Sequence, residues 1–517
     1  MDSAGRVNVV PKAQEDVKSA VLSFLDASIT STGKSTYYNT KDEQLEALEN
    51  VHAAVFAVNR GLYAAMLTLP GVLDLSKQIG ATRLLTDQTG LDLASMLTYE
   101  KEAKAIAYIS QNMPAQRLFK LYGIIKKKRI NNKRTRRLIL TSILNSDKLD
   151  YWSVKYRDKL RVALTHAWGT KTTTFVRETI AKGIKTATFS QKKSLHQLID
   201  KFVSNKHFTK GDVYQCVCFI LDGKRNYTVQ LLKDYNSAKT DLSKGKRLPP
   251  EVLEGIRSVY HPDKTHADVL KLTEKTMTEG QKMASQKSAA KAGVKIDFDP
   301  TKQDLVKLYV YALERGINTE IRNAMNYKAQ IAARALPIRY QRIGIVVDTS
   351  GSMFGTEQQK NRPLAIGLAM RDVLASSAED AVVESTNGSF DRFGMIAASG
   401  ETSIAKSLVN VMGNEPEVVY IITDGYENAP AGRTNEVISR MREMGIETPI
   451  YQVTPVMASE SMGKDGSIRK LSKQIAPMPV SNPEGIGLSM IRAAIAGDLE
   501  NGICGLLNIA TPMIEGR

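Results

Sequence analysis

The residues best suited to chemistry are five oxygen donors in the last third of the chain. Asp348, Ser350 and Ser352 stand in Ile-Val-Val-Asp-Thr-Ser-Gly-Ser, Thr402 in Gly-Glu-Thr-Ser, and Asp424 in Ile-Ile-Thr-Asp-Gly. Two carboxylates and three hydroxyls are hard ligands of the kind an octahedral Mg²⁺ or Mn²⁺ takes. So sparse a charge leaves coordination positions for water or for an external carboxylate. Asp-Thr-Ser-Gly-Ser alone is also the composition of a capped turn. The apolar run before it, followed in chain order by the Thr and the Thr-Asp-Gly, favours the metal site.

For these five to meet, their loops must lie at one end of one sheet. Short β-rich runs cover 343–347, 381–384, 418–423 and 450–453, separated by helical stretches such as 362–375 and 434–444. Strands alternating with helices predict a doubly wound parallel sheet covered on both faces, with ligands at the carboxyl ends of the strands. This α/β module is assigned to 338–510. The last four residues, Ile-Glu-Gly-Arg, coincide with a protease-tag sequence, and 511–517 are expected to be a tail outside the fold.

The 517 residues, 42% hydrophobic, suffice for two or three packed units. No run approaches the roughly 18 apolar residues that cross a bilayer, and the N-terminus lacks a signal-peptide core, so a cytoplasmic protein with no membrane partner is expected. Cys216, Cys218 and the remote Cys504 suggest neither a disulfide framework nor a zinc site. Charge is unevenly spread. Residues 341–517 carry 15 Lys and Arg against 21 Asp and Glu, so of the net +17, −6 falls there and +23 on the first 340 residues. A basic body joined to an acidic module implies two kinds of partner, the first a polyanion.

That body reads as mainly α. From 41 to about 260 the chain forms successive amphipathic helices: Leu45, Leu48, His52 and Val55 share one stripe, and Leu160, Ala163, Leu164 and Ala167 another. Breakers at Pro70-Gly71, Gly80, Gly90, Pro114, Gly169 and Gly183 suit stacked helical pairs, a HEAT-like helical repeat over 37–337. Residues 1–36 read as an N-terminal arm. Residues 264–300, rich in Lys, Ser, Thr and Ala, read as a solvated insertion or linker, and a last helix spans 304–335.

Cations concentrate from Lys126 to Arg137. Arg129, Lys133, Arg136 and Arg137 recur at helical spacing beside an apolar face, and Lys155, Lys159 and His166 share an arc if 152–168 is one helix. Such a rim could grip phosphates, with His166 and Trp168 near enough to reach exposed bases. A charge run is more often only a solvated face; the net +23 shifts the reading toward RNA.

The metal motif resembles the metal-ion-dependent adhesion site of von Willebrand factor A domains. There the two serines and the threonine bind metal directly and the aspartates bind directly or through water. A basic helical body with a C-terminal A domain is similar in turn to the TROVE-domain Ro autoantigen family. Tyr37-Tyr38-Asn-Thr-Lys-Asp-Glu-Gln resembles that domain's opening segment, 133–144 its Arg-rich helix, and Lys155-Tyr-Arg-Asp-Lys-Leu-Arg-Val-Ala-Leu-Thr-His166 its basic segment. The resemblance implies a helical-repeat ring closed by the A domain. It implies a monomeric, non-enzymatic ribonucleoprotein component that binds small noncoding Y-like RNA on its outside and admits single-stranded ends of misfolded RNA to its centre. It further implies an exoribonuclease such as polynucleotide phosphorylase as a partner, and RNA contact by Lys133, Arg134, Arg136, Arg137, Lys155, Arg157, Lys159 and His166.

Two other readings compete. The helical body could bind acidic protein, making the chain a metal-dependent protein-interaction scaffold. Ser28-Ile-Thr-Ser-Thr-Gly33-Lys34-Ser35 imitates a phosphate loop, but Ser28 replaces the first glycine and no helix follows promptly, which argues against nucleotide hydrolysis. His261 and His266 flank Pro262 without a ligand pattern and read as loop residues.

Overall fold

The structure, a computed structural model, describes residues 11–35, 40–87, 96–186, 188–221, 226–334, 336, 339–455 and 469–515. It comprises two compact units, one of Met1–Gly80 with Pro300–Arg517 and one of Ala81–Asp299.

At the heart of the first unit is a five-stranded parallel sheet. Its strands are β1 (Tyr340–Val347), β2 (Ala378–Ser385), β3 (Val418–Ile422), β4 (Ile450–Thr454) and β5 (Ala476–Pro479), in the order β2-β1-β3-β4-β5. β-Branched residues dominate the central strands, and both faces are covered. On one face Val346, Val419 and Ile421 pack against Ile404, Leu408 and Val411 of helix Ile404–Met412 and against Ile438 and Met441 of helix Arg433–Glu443. Gly344 permits that approach, since a Cβ there would lie 2.2 Å from Val411. The other face carries helix Arg362–Ala375, buried continuously from Pro363 to Leu374, with Gly367 set against Ile422. The alternating pattern is thus confirmed. β5, Ala-Pro-Met-Pro, carries no strand signal because proline is tolerated only at a sheet edge, which is where it lies.

The first unit also corrects the expected boundaries. Residues 11–30 of the supposed arm form helix Pro11–Thr30, with Val21, Phe24, Leu25 and Ile29 buried. It packs on helices Lys41–Val58 and Ile486–Gly497. Its buried seam also holds Ser23, Asp26 and Ser28, which hides the apolar stripe in the sequence. Asp26 accepts two hydrogen bonds from Arg492, Nε at 2.7 Å and Nη2 at 2.9 Å, with both side chains buried. The expected tail is likewise structured up to 515, because Thr511 to Glu515 continue helix Leu499–Glu515. The single helix expected over 304–335 is two, Leu305–Arg315 and Thr319–Arg334, parted at Gly316 whose φ of +92° no helix accommodates.

The second unit is all helix among its described residues. Residues 264–300 are not a solvated linker: helices His266–Thr273 and Glu279–Lys291 enclose a small core of Leu270, Met277, Ala289, Val294 and Ile296. Small and widely spaced apolar residues make this core, so no periodic stripe announces it. The helix expected over 152–168 is also interrupted, at Tyr156, giving Leu149–Lys155 and Arg157–Trp168. Charge follows this unit more closely than it follows the sequence halves. Ala81–Asp299 holds 42 Lys and Arg against 21 Asp and Glu, so +21 of the net +17 lies here and −4 on the other unit.

Candidate metal centre and basic helical face

Backbone pairing brings the acidic ends of β1 and β3 together. The Asp348 N–H donates to Ile422 O at 2.8 Å, extending the β1–β3 ladder one residue and placing Asp348 beside the Thr423-Asp424 turn. Asp348 is fully buried and accepts from Ser350 N at 2.9 Å and Thr423 Oγ1 at 2.7 Å. The Ser350 and Ser352 hydroxyls approach to 3.2 Å. Thr402 joins them through two ties: Gly400 O accepts from Gly351 N at 3.0 Å, and Thr402 O accepts from Ala429 N at 3.1 Å. The Asn428 side chain in turn accepts from Thr402 N at 2.8 Å. Three loops carrying all five sequence-chosen donors are therefore laced together at the carboxyl end of the sheet.

The electrostatics fit a cation. Burial, and after it the neighbouring Asp424 carboxylate, push the Asp348 carboxyl up to about 6, against the lowering effect of its Ser350 and Thr423 hydrogen bonds. Two adjacent acids, buried with converging hydroxyls, form a donor set whose charge a divalent ion would neutralise. Among the described residues no cluster of three His, Cys, Asp or Glu provides an alternative metal site.

Sequence reading missed the supports of this site. Thr423 fixes Asp348 and also accepts from Gly425 N at 3.1 Å. Gly425 has φ +89°, and a Cβ there would meet Arg469 O at 2.5 Å, so only glycine fits. Arg469 itself lies over the Tyr426 ring at 3.9 Å. Asn387 holds the third loop by donating to Glu401 O at 2.8 Å. The Thr-Asp-Gly triplet was visible; that its threonine positions an aspartate 75 residues away was not.

The seven cations and one histidine proposed for RNA all lie in the second unit but differ in availability. Lys133, Arg136 and Arg137 are exposed on helix Lys133–Leu144, Arg136 leaning on Asn131 Oδ1 at 2.8 Å. Arg134 instead turns inward to the fully buried Glu102 at 2.5 Å. Despite the break at Tyr156, Lys155 and Lys159 reach the same ring, 5.8 and 5.6 Å from its centroid. Lys155 also pairs with Glu251 at 3.2 Å; burial opposes its charge, but Tyr151 and Glu251 hold its ammonium above the ordinary range. Arg157 donates to Phe219 O at 2.9 Å and lies over the Phe219 ring. His166 Nε2 donates to Ile130 O at 2.8 Å while Asn131 donates to His166 O, so the imidazole is half-buried and anchors the turn before the Arg-rich helix.

Gly33-Lys34-Ser35 follows a helix rather than a strand and is not a loose arm: Lys34 Nζ donates to Gln358 O at 3.4 Å, and Thr356 Oγ1 donates to Ser35 O at 3.3 Å. His261 Nε2 donates to Ala238 O at 2.7 Å at the end of helix Gln230–Ala238, whereas His266 is not a loop residue but opens helix His266–Thr273 and pairs with Glu254 at 2.9 Å. The opening-segment residues Tyr37 and Tyr38 lie outside the described residues.

Comparison of the chain with protein-family models and with curated proteins finds no match. No helix among the described residues is long and apolar enough to cross a membrane.

Proposed function

We propose that the protein is a non-enzymatic RNA-binding component of a ribonucleoprotein, similar to the TROVE-domain Ro family. Small noncoding Y-like RNA and single-stranded ends of structured RNA are its ligands, and a von Willebrand A-type metal site recruits a partner. The observation that carries this is the +21 concentrated on one helical unit, with Lys133, Arg136, Arg137 and Lys159 exposed on its helices. A polyanion with flexible single strands suits such a surface better than a compact acidic protein, because counterion release rewards many phosphate contacts at once. Asp348, Ser350, Ser352, Thr402 and Asp424 would hold Mg²⁺ or Mn²⁺, which supplies a Lewis-acid position for a carboxylate of the partner. The non-enzymatic reading is supported by Gly33-Lys34-Ser35 following a helix rather than a strand and lacking the first glycine of a phosphate loop.

Filter binding of the full-length protein at several salt concentrations tests the proposal, using a small folded noncoding RNA and a structured RNA with a single-stranded 3′ end. Affinity should fall steeply with salt for both. Absence of binding at moderate salt would reject the RNA reading and leave a metal-dependent protein scaffold in its place.

A further inference from the structure

Where helices Leu149–Lys155 and Arg157–Trp168 meet helix Pro250–Tyr260, the surface opens into a groove of about 540 Å³. Three tyrosines, Tyr156, Tyr235 and Tyr260, line it. Two are braced from behind: Tyr156 packs on Phe119 at 5.1 Å between centroids and Tyr235 on Phe219 at 5.0 Å. The third, Tyr260, is 52% exposed at the mouth, beside Val259 at 70%. Lys239 stands over both Tyr235 and Tyr260, 4.8 and 6.0 Å from their centroids, and Lys159 over Tyr156. Two carboxylates line the groove, but Glu251 pairs with Lys155 and Asp158 with Arg161, and among the described residues none pairs with Arg157, Lys159 or Lys239. Burial, and after it the nearby Arg157, hold Lys239 below the usual lysine range.

Flat π-faces beside uncompensated ammonium groups, in a cavity of ligand size, match one ligand chemistry: an aromatic base attached to a phosphate. We infer that this groove takes a single unpaired nucleotide of the bound RNA, its base against the tyrosine rings and its phosphate on Lys159 and Lys239. The inference rests on the RNA-binding reading and deepens it, since Tyr235 and Tyr260 form a wall, with Lys239 over both rings, that the basic sequence motifs do not include. The larger groove near Val409 and Met444 has no such complement, as its Arg433 and Arg440 are each paired with a neighbouring glutamate.

The test uses full-length protein and two fluorescein-labelled probes, a hairpin RNA with an unpaired 3′ extension and the same hairpin without it. Tyr260→Ala and Lys239→Met should each weaken the extended hairpin about tenfold while leaving the blunt hairpin within about twofold. Tyr260→Phe, which keeps the ring, should restore wild-type binding and so separates stacking from a structural effect. If the wild type binds the extended hairpin and both variants bind it equally well, the nucleotide groove is rejected and the RNA reading stands. If the wild type binds neither probe, the RNA reading falls and takes the groove with it.

Discussion

At the scale of single residues, the metal centre is defined by repulsion as much as by ligation. Asp348 and Asp424 oppose each other in a buried setting, so removing one charge relieves the apo protein and disables metal uptake together. Asp348→Asn keeps one oxygen to accept from Ser350 N and places an amide N–H beside Thr423 Oγ1, whose hydroxyl can turn to accept it. It should leave the apo melting temperature at or above that of wild type, yet abolish the rise that Mg²⁺ or Mn²⁺ gives the wild type. Calorimetric heats equal to wild type would contradict the assignment. The same scale separates cations that face outward from those that do not. Arg136→Ala with Arg137→Ala should leave stability unchanged and flatten the dependence of RNA affinity on salt by about two phosphate contacts. Arg134→Ala instead takes a charged partner from buried Glu102 and should cost about 3 kcal/mol of folding stability in urea titration. The sequence announces both arginines in one motif. It does not distinguish them, because the glutamate that claims Arg134 lies 32 residues away on another helix.

At the scale of elements, legibility follows locality. Four strands and helix Arg362–Ala375 are readable because β-branched runs and helical periods are complete within each segment. Helix Pro11–Thr30 is not, since its buried face mixes Phe24 and Leu25 with Asp26 and Ser28. Asp26 is tolerable there only because Arg492 meets it. The helix is nonetheless a structural member. Leu25→Ala should lower unfolding free energy by about 2–5 kcal/mol, as expected for a buried leucine, whereas truncating a side chain on a loose arm would change nothing. Helices around 264–300 make the complementary case: Ala289 and Met277 fill a core too small to leave a periodic signature. The metal loops were legible for a different reason, as the donors follow strand ends directly, but their lacing through Thr423, Asn428 and Gly400 depends on loops that converge only in three dimensions.

At the scale of the whole molecule, the charge partition gives the functional reading its sharpest form. Because −4 and +21 fall on separate units, RNA affinity should be insensitive to Asp348→Asn in metal-free buffer but steeply sensitive to salt, a comparison read in one filter-binding series. The unit that carries the sheet is discontinuous in sequence, and its two parts are joined by the Asp26–Arg492 pair. Replacing Arg492 by Leu should therefore destabilise that unit by about 3–5 kcal/mol, with loss of Mg²⁺-dependent stabilisation at temperatures where the wild type retains it. The pairing also sets a timetable for synthesis. Asp26 and Arg492 are 466 positions apart, so at roughly 5–20 residues per second the first helix waits on the order of half a minute to a minute and a half for its partner to leave the ribosome. Throughout that interval helix Pro11–Thr30 lacks its packing against helix Ile486–Gly497. The nascent chain thus carries an incompletely packed helix until its last residues are made, and a ribosome stalled before the last helices yields a product without a finished metal-bearing unit.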